Sequence, residues 1–497
     1  MAACPDRCSG HIHIGPSHTE RIEQGAAPLT DLSVRPVQRL PHPPFRLPLL
    51  GDLLTVRPGR PTQAAMRDAR RLGPIYERLI INYPIVIVSG VDLLAEINNQ
   101  EHWAKNLSPL FRLMRPVARD GLFTAYNDEP NWQTAHNILM PAFTQSAMRS
   151  YHQTMTDTAA ELVDHWSEQS GRWIDVAEDT NKYTLEVIGR CGFSTGFDSF
   201  TRAHTDEHPF VAAMTRSLRF INRNANLPPA VHKFPRNRAA QHANDVAFAK
   251  KIVDDVIAAR RSEDPYSTRD LLGLMLNSTD PATGNALDEK NIRHQILTFL
   301  VAGHETSAGV LVFALHFLAS RPDVAARARA EVDERWPGRE RPHIGYEDVA
   351  KLRYLRRVID ETMRLWPIAP GYFREAKHDT TIGDGKYHFR KGDWVFVLTL
   401  AAHRDPGWGP DHDEFDPDRF LPENLRKLDP NVRAAYKPFG TGERACIGRQ
   451  FAYHEILLAL AHILHTFTIE PEPGYELDVA EQISLKPRGL RLRFHHR

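Results

Sequence analysis

Cysteine is scarce: four residues in a chain of 497, at positions 4, 8, 191 and 446. That is too few for a disulfide framework and fits a reducing compartment. A charge excess is also missing. Lys plus Arg and Asp plus Glu both number 62, so the overall balance gives no argument for nucleic acid or an anionic membrane surface. The N-terminal segment lacks the apolar run that a secretory signal needs. No stretch of about 18 uncharged apolar residues occurs, which argues against a membrane span. The nearest, 296–319, carries His304, Glu305, Thr306 and Ser307 at its middle. Internal repeats are absent too. What is left is a chain 42% hydrophobic and 25% charged, able to bury a large core and expected in the cytoplasm.

Residues 1–38 are polar and interrupted by Gly and Pro, and read as a flexible extension. Cys4, Cys8, His11 and His13 could ligate a metal there, but their irregular spacing is not that of a structural site. A proline-stiffened entry, 40–52, leads into the globular body. Three segments read as strands: 78–88 with a turn at Asn82-Tyr83-Pro84, 386–398 as a hairpin around Lys391-Gly392, and 484–494 with a turn at Pro487-Arg488-Gly489. Most of the remainder favours helix. The fold class is mainly α with small β-sheets.

One helix is predicted from Asp288, its N-cap, to Arg321, with Pro322 just beyond. Its flanks are apolar on nearly every face, so it should run through the core. Its middle is Ala302-Gly303-His304-Glu305-Thr306-Ser307, and polar groups in a core cost free energy unless bonded. Two readings stand: tight packing at Gly303 with hydroxyls bonded to the preceding turn, or a distorted turn that aims Thr306 at a ligand. Glu361 and Arg364 lie three apart in a helical stretch; alone, such a pair reads as a surface ion pair. Phe439 to Gly448 is different. Glycines at 440, 442 and 448 permit a tight loop, and Cys446 sits where that loop becomes a helix from Gly448 to about His465. Helix N-terminal amides should lower the thiol pKa and make it an anionic metal ligand.

Phe439-x-x-Gly442-x-Arg444-x-Cys446-x-Gly448 resembles the haem-thiolate signature of the cytochromes P-450. Ala302-Gly303-x-Glu305-Thr306 resembles their oxygen-binding helix motif. Glu361-x-x-Arg364 with Arg419 in Phe415–Phe420 resembles their structural Glu-Arg-Arg network. Segments 105–115, 120–143 and 439–455 are most similar to the haem domain of the bacterial self-sufficient fatty-acid hydroxylases. The resemblance implies a single haem domain over 39–497, with haem b between the long central helix and the cysteine helix. Cys446 would be the axial iron ligand, and Phe439 would pack beside it. Lys105, Trp132, His136 and Arg444 would hold the haem propionates. Thr306 and Glu305 would deliver protons. The implied substrate pocket is largely apolar: Phe111, Leu122, Phe123, Val301, Ala302, Ala369 and Ile483, with Tyr83.

The resemblance implies a monooxygenase that inserts one oxygen of O2 into a C–H bond of a small apolar substrate, fatty acids first. A terpenoid, polyketide or other apolar metabolite is the alternative. The hydroxylases anchor the substrate carboxylate with an Arg and a Tyr on the first strands, where this chain has Tyr83 and Ile87. Their fused reductase is also missing from the sequence, so electrons are expected from a separate flavodoxin, ferredoxin or flavin reductase. Arg426, Lys427, Arg433, Lys437 and Arg449 flank the cysteine loop and would either dock such a carrier or form an ordinary solvated face. Peroxygenases of the family carry Arg-Pro in place of Glu305-Thr306, and a non-catalytic haem sensor has no use for an acid–alcohol pair.

Overall fold

The apolar flanks and cap of segment 288–321 fold as their pattern dictates. In this computed structural model Asp288 accepts a hydrogen bond from the Asn291 amide and starts an uninterrupted helix, Glu289–Ser320. Pro322 opens the next helix. The described residues are 40–57, 59–80, 83–200, 208–225, 236–262, 270–481 and 484–497. The extension with Cys4, Cys8, His11 and His13 lies outside them, as does Ile483.

The central helix is surrounded because it is apolar all round. Leu311, Phe313, Ala314 and Leu315 are wholly buried, and the helix packs against Val176–Phe193 along much of its length. It is the one described helix long and apolar enough to cross a membrane, and 78% of that apolar window is buried inside the protein. The cysteine helix, Arg449–Thr466, is buried from Ile456 to Leu464 against Met148–Glu168. The longest described helices therefore share one core.

Small sheets border it. A five-stranded sheet runs in the order β1 (Ile75–Ile80), β2 (Tyr83–Val88), β8 (Trp394–Val397), β5 (Tyr372–Ala376), β3 (Trp103–Lys105). The pairings are antiparallel except β2 with β8. The other sheets are β4 (Trp173–Asp175) with β12 (Arg491–His496) and β9 (Phe467–Pro471), β10 (Val479–Glu481) with β11 (Leu485–Pro487), and β6 (Thr380–Ile382) with β7 (Tyr387–Phe389).

Three strand expectations need correction. Tyr83 and Pro84 belong to β2, paired with Ile80 and Leu79, so they are not turn residues. Segment 386–398 is not a hairpin: β7 pairs with β6, whereas β8 joins β2 and β5. Gly392 does turn the chain, at φ +89°, but it sends β8 to another sheet. Segment 484–494 splits likewise between β11 and β12, although Leu490, Leu492 and Phe494 are all buried, as their alternation requires.

Candidate active site

The loop before the cysteine helix is held from within. Cys446 N donates to the Phe439 carbonyl at 2.8 Å and Ala445 N to the Gly442 carbonyl at 3.0 Å. Gly440 and Gly442 sit at φ +71° and +69°, the left-handed region where glycine carries no steric cost. A side chain at 442 would also meet the Gln100 amide at 2.5 Å. The loop presents the Cys446 thiol to an internal cavity of about 380 Å³, and its exposed surface faces that space, not bulk water. Burial pushes the thiol pKa up, opposed by the Gly448 amide and the Arg449 charge. The expected net lowering therefore does not hold for the protein groups alone: desolvation outweighs the helix terminus. Phe439 lines the same cavity with Arg449 over its ring.

The central helix forms a second wall with Val301, Ala302, Gly303, Glu305, Thr306 and Ser307. Thr306 Oγ1 donates to the Ala302 carbonyl at 2.8 Å while its side chain stays exposed to the cavity. A Cβ on Gly303 would meet Ile188 at 3.2 Å, so the glycine marks a close helix–helix approach. Tight packing and a cavity-facing threonine thus coexist on an unbroken helix, and the distorted turn is not seen. Glu305 is paired with Lys486 of β11 at 2.6 Å.

A third wall collects positive charge. Lys105 Nζ donates to the Phe123 carbonyl at 2.5 Å, and Arg444 Nη2 to the Ala125 carbonyl at 2.8 Å. Arg444 lies over Trp132 at 4.4 Å, and Trp132 stacks on His136 at 5.0 Å. Arg374 of β5, buried, donates to the carbonyls of Ile97 and Trp103. Among the described residues no carboxylate pairs with any of these three cations. Burial pushes Lys105 well below the usual ammonium range and lowers Arg444 to about 10. Isolated buried cations are costly. This wall fits a bound group that brings its own acids.

Phe111, Leu122, Phe123 and Ala369 complete the apolar lining, with the Phe111 and Phe123 rings edge-to-face at 4.7 Å. Tyr83 does not line the cavity, contrary to its expected place in the pocket; its ring packs at a tilt against Trp394 at 5.7 Å, one aromatic layer outside Phe373. Lys437 borders the cavity, whereas Arg426, Lys427, Arg433 and Arg449 are exposed.

The pair at 361 and 364 is no surface feature. Arg364 grips Glu361 with two 2.7 Å bonds, and both side chains are fully buried. Arg419 Nε adds a third bond at 3.3 Å. The remaining Arg364 donors reach the carbonyls of His403, His412 and Glu414.

Two cavity residues, Arg374 and Glu455, and one partner of a cavity residue, Lys486, escaped the motif reading. Arg374 carried one signal, a lone cation inside a strand-like run. Lys486 pairs with Glu305 across 181 positions of sequence, which no local pattern shows. Glu455 is buried on the cysteine helix, neither oxygen bonded among the described residues, and burial raises its pKa well above the usual range despite nearby Ser307.

The profile of the family described as cytochrome P450 matches residues 41–494. A bifunctional cytochrome P450/NADPH–P450 reductase of Bacillus cereus is 41% identical over 460 residues, covering 92% of this chain and 42% of that protein. A self-sufficient cytochrome P450 monooxygenase of Phanerodontia chrysosporium is 38% identical, covering 90% and 42%. The chain thus spans about two fifths of the length of the curated relatives it matches. A crystal structure of a cytochrome P450 superposes with a TM-score of 0.87 at 51% identity, covering 93% of this chain and 100% of the other. The haem b of this family suits the cavity: a soft sulfur donor, apolar walls, and an edge of cations for two carboxylates. Profile, relatives, superposition and donor set converge, and the chain belongs to the cytochrome P450 family.

Proposed function

We propose that the chain is the haem domain of a monooxygenase that hydroxylates a lipophilic substrate, a fatty acid in the first instance. The observation that carries this is the meeting of a thiol, Cys446, and an acid–alcohol pair, Glu305 and Thr306, on one apolar cavity. Lys105, Arg374, Arg444, Trp132 and His136 would hold the haem carboxylates. Phe439 and the glycine loop would keep the thiolate shielded from water. Bound haem supplies the activation of O2 with electrons from a donor. A separate flavodoxin, ferredoxin or flavin reductase is the donor proposed here, and the exposed arginines around the cysteine loop are its proposed landing surface.

The protein's own part is orientation and proton handling. Phe111, Phe123, Leu122, Val301 and Ala369 would press a hydrocarbon against the cavity face and exclude water. Thr306 Oγ1, bonded back to Ala302, presents its lone pairs to that space and would pass a proton at the hydroxyl. Glu305 would leave Lys486 through side-chain rotation, take up a proton from water and hand it to the hydroxyl. The relatives' printed names, a bifunctional cytochrome P450/NADPH–P450 reductase and a self-sufficient cytochrome P450 monooxygenase, support the oxidative reading.

The test is a ferrous carbonyl spectrum followed by turnover with NADPH, a donor and a fatty-acid panel. Cys446→Ser should abolish the red-shifted band. Thr306→Ala should keep the band but divert electrons, so that product per NADPH falls about tenfold. A globin-like wild-type spectrum would sink the reading, and so would full coupling in Thr306→Ala for the proton role.

A further inference from the structure

Behind the cysteine loop lies a charged cluster that neither haem binding nor proton handling uses. Asp360 sits on the helix Arg353–Leu365, next to Glu361 in sequence, but its carboxylate is bonded elsewhere. Arg356 Nε donates to it at 3.1 Å and the Tyr453 hydroxyl at 2.5 Å. The Tyr436 hydroxyl donates to the Asp360 carbonyl at 2.9 Å and lies 3.2 Å from the same carboxylate oxygen that Tyr453 holds. The Arg356 guanidinium also stands 3.3 Å over the Tyr453 ring. Water screens this ion pair only in part: the Asp360 side chain is 14% exposed, and Tyr453 is buried.

Tyr453 carries the cluster to the cavity. It lines that space, and its ring packs at 5.2 Å and a 47° tilt against Phe439. Phe439 in turn holds the Cys446 amide on its carbonyl. Burial and the Asp360 charge both push the Tyr453 phenol up, so its hydroxyl stays a donor to the carboxylate. Contacts therefore run unbroken from Asp360 through a phenol and a phenyl ring to the residue that would ligate iron. A carboxylate near a metal centre favours the more oxidised state and a guanidinium the more reduced one. Here the two offset each other, and loss of either leaves the other unbalanced.

We propose that Asp360 is a positioning residue: through Tyr453 it fixes Phe439 against the Cys446 loop, and with Arg356 it sets how readily haem held there accepts an electron. The inference rests on the haem-thiolate reading and extends it to three residues outside the motifs.

Midpoint potentials of the haem-loaded protein, from spectroelectrochemical titration, test it. Asp360→Asn keeps the shape and leaves Arg356 unbalanced, so the potential should rise. Arg356→Gln leaves Asp360 unbalanced, so the potential should fall. The double variant should return close to wild type, and Asp360→Glu, which keeps the charge, should stay there. Tyr453→Phe keeps a ring against Phe439 but cuts the link, so on that background Asp360→Asn should shift the potential by about half as much or less. Shifts of the same sign in Asp360→Asn and Arg356→Gln, or none in either, overturn the proposal and leave the cluster a brace. The ferrous carbonyl band keeps the two readings apart. A red-shifted band with unmoved potentials sinks only this one, whereas a globin-like band in the wild type sinks the haem-thiolate reading beneath it.

Discussion

Two cation clusters in this molecule, one buried and one partly buried around the cavity, look alike in composition and differ in what answers their charge. Arg364 and Arg419 close on Glu361, so the charge is balanced by the chain itself. Lys105, Arg374 and Arg444 close only on backbone carbonyls. Carbonyls satisfy N–H groups but carry no net charge, so the second cluster keeps a surplus of positive charge around a cavity. A cluster that ends on its own acid braces the fold; one that ends on carbonyls awaits an acid from outside. Residue type alone would not separate the two.

Removing the acid should break the first cluster and barely resemble anything in the second. Glu361→Ala leaves two buried guanidiniums facing each other, and denaturant unfolding should show a loss of about 3–5 kcal/mol, or no folded protein at all. Glu361→Gln keeps the shape and should fall between. In the second cluster the same logic runs in reverse. Arg444→Ala removes an uncompensated cation, so the haem-free protein should be unchanged or more stable by about 1 kcal/mol. Haem affinity should fall about tenfold to a hundredfold, read from transfer to an acceptor globin. Loss of stability in both forms alike would place Arg444 with the bracing cluster instead.

Much of this was legible before the structure, and the limits have physical causes. The central helix was readable because its cap, apolar flanks and following proline are local signals. The cysteine loop was readable because glycine spacing encodes a backbone shape that few sequences need. The Glu361–Arg364 pair shows its face but not its burial, since three-residue spacing is the same on a surface and in a core. Strand partners were not readable. Gly392 announces a turn, yet only tertiary packing decides that β8 leaves β7 for β2 and β5. Tyr83 failed for a related reason: alternation gives a face, not the aromatic layer it belongs to. Arg374 and Lys486 became visible only when distant strands brought the one to the cavity and the other to Glu305.

Glu455 offers the finest test, because it inverts the comparison: a buried acid without a cation. Burial raises its pKa well above the ordinary value of 4.5, so the folded protein holds a proton there that the unfolded chain releases. Between those two pKa values the native state binds more protons, and stability must fall as pH rises. Below about 4.5 both states are protonated and the effect vanishes. Glu455→Gln, which is neutral throughout, should flatten that slope: equal stability to wild type in acid, and greater stability toward neutral pH, in denaturant titrations of the haem-loaded protein. A slope that survives the substitution would assign the pH dependence to another group and leave Glu455 paired by something the cavity admits. That outcome would bring the acid into the same class as the cation wall, as a group whose partner enters with a ligand.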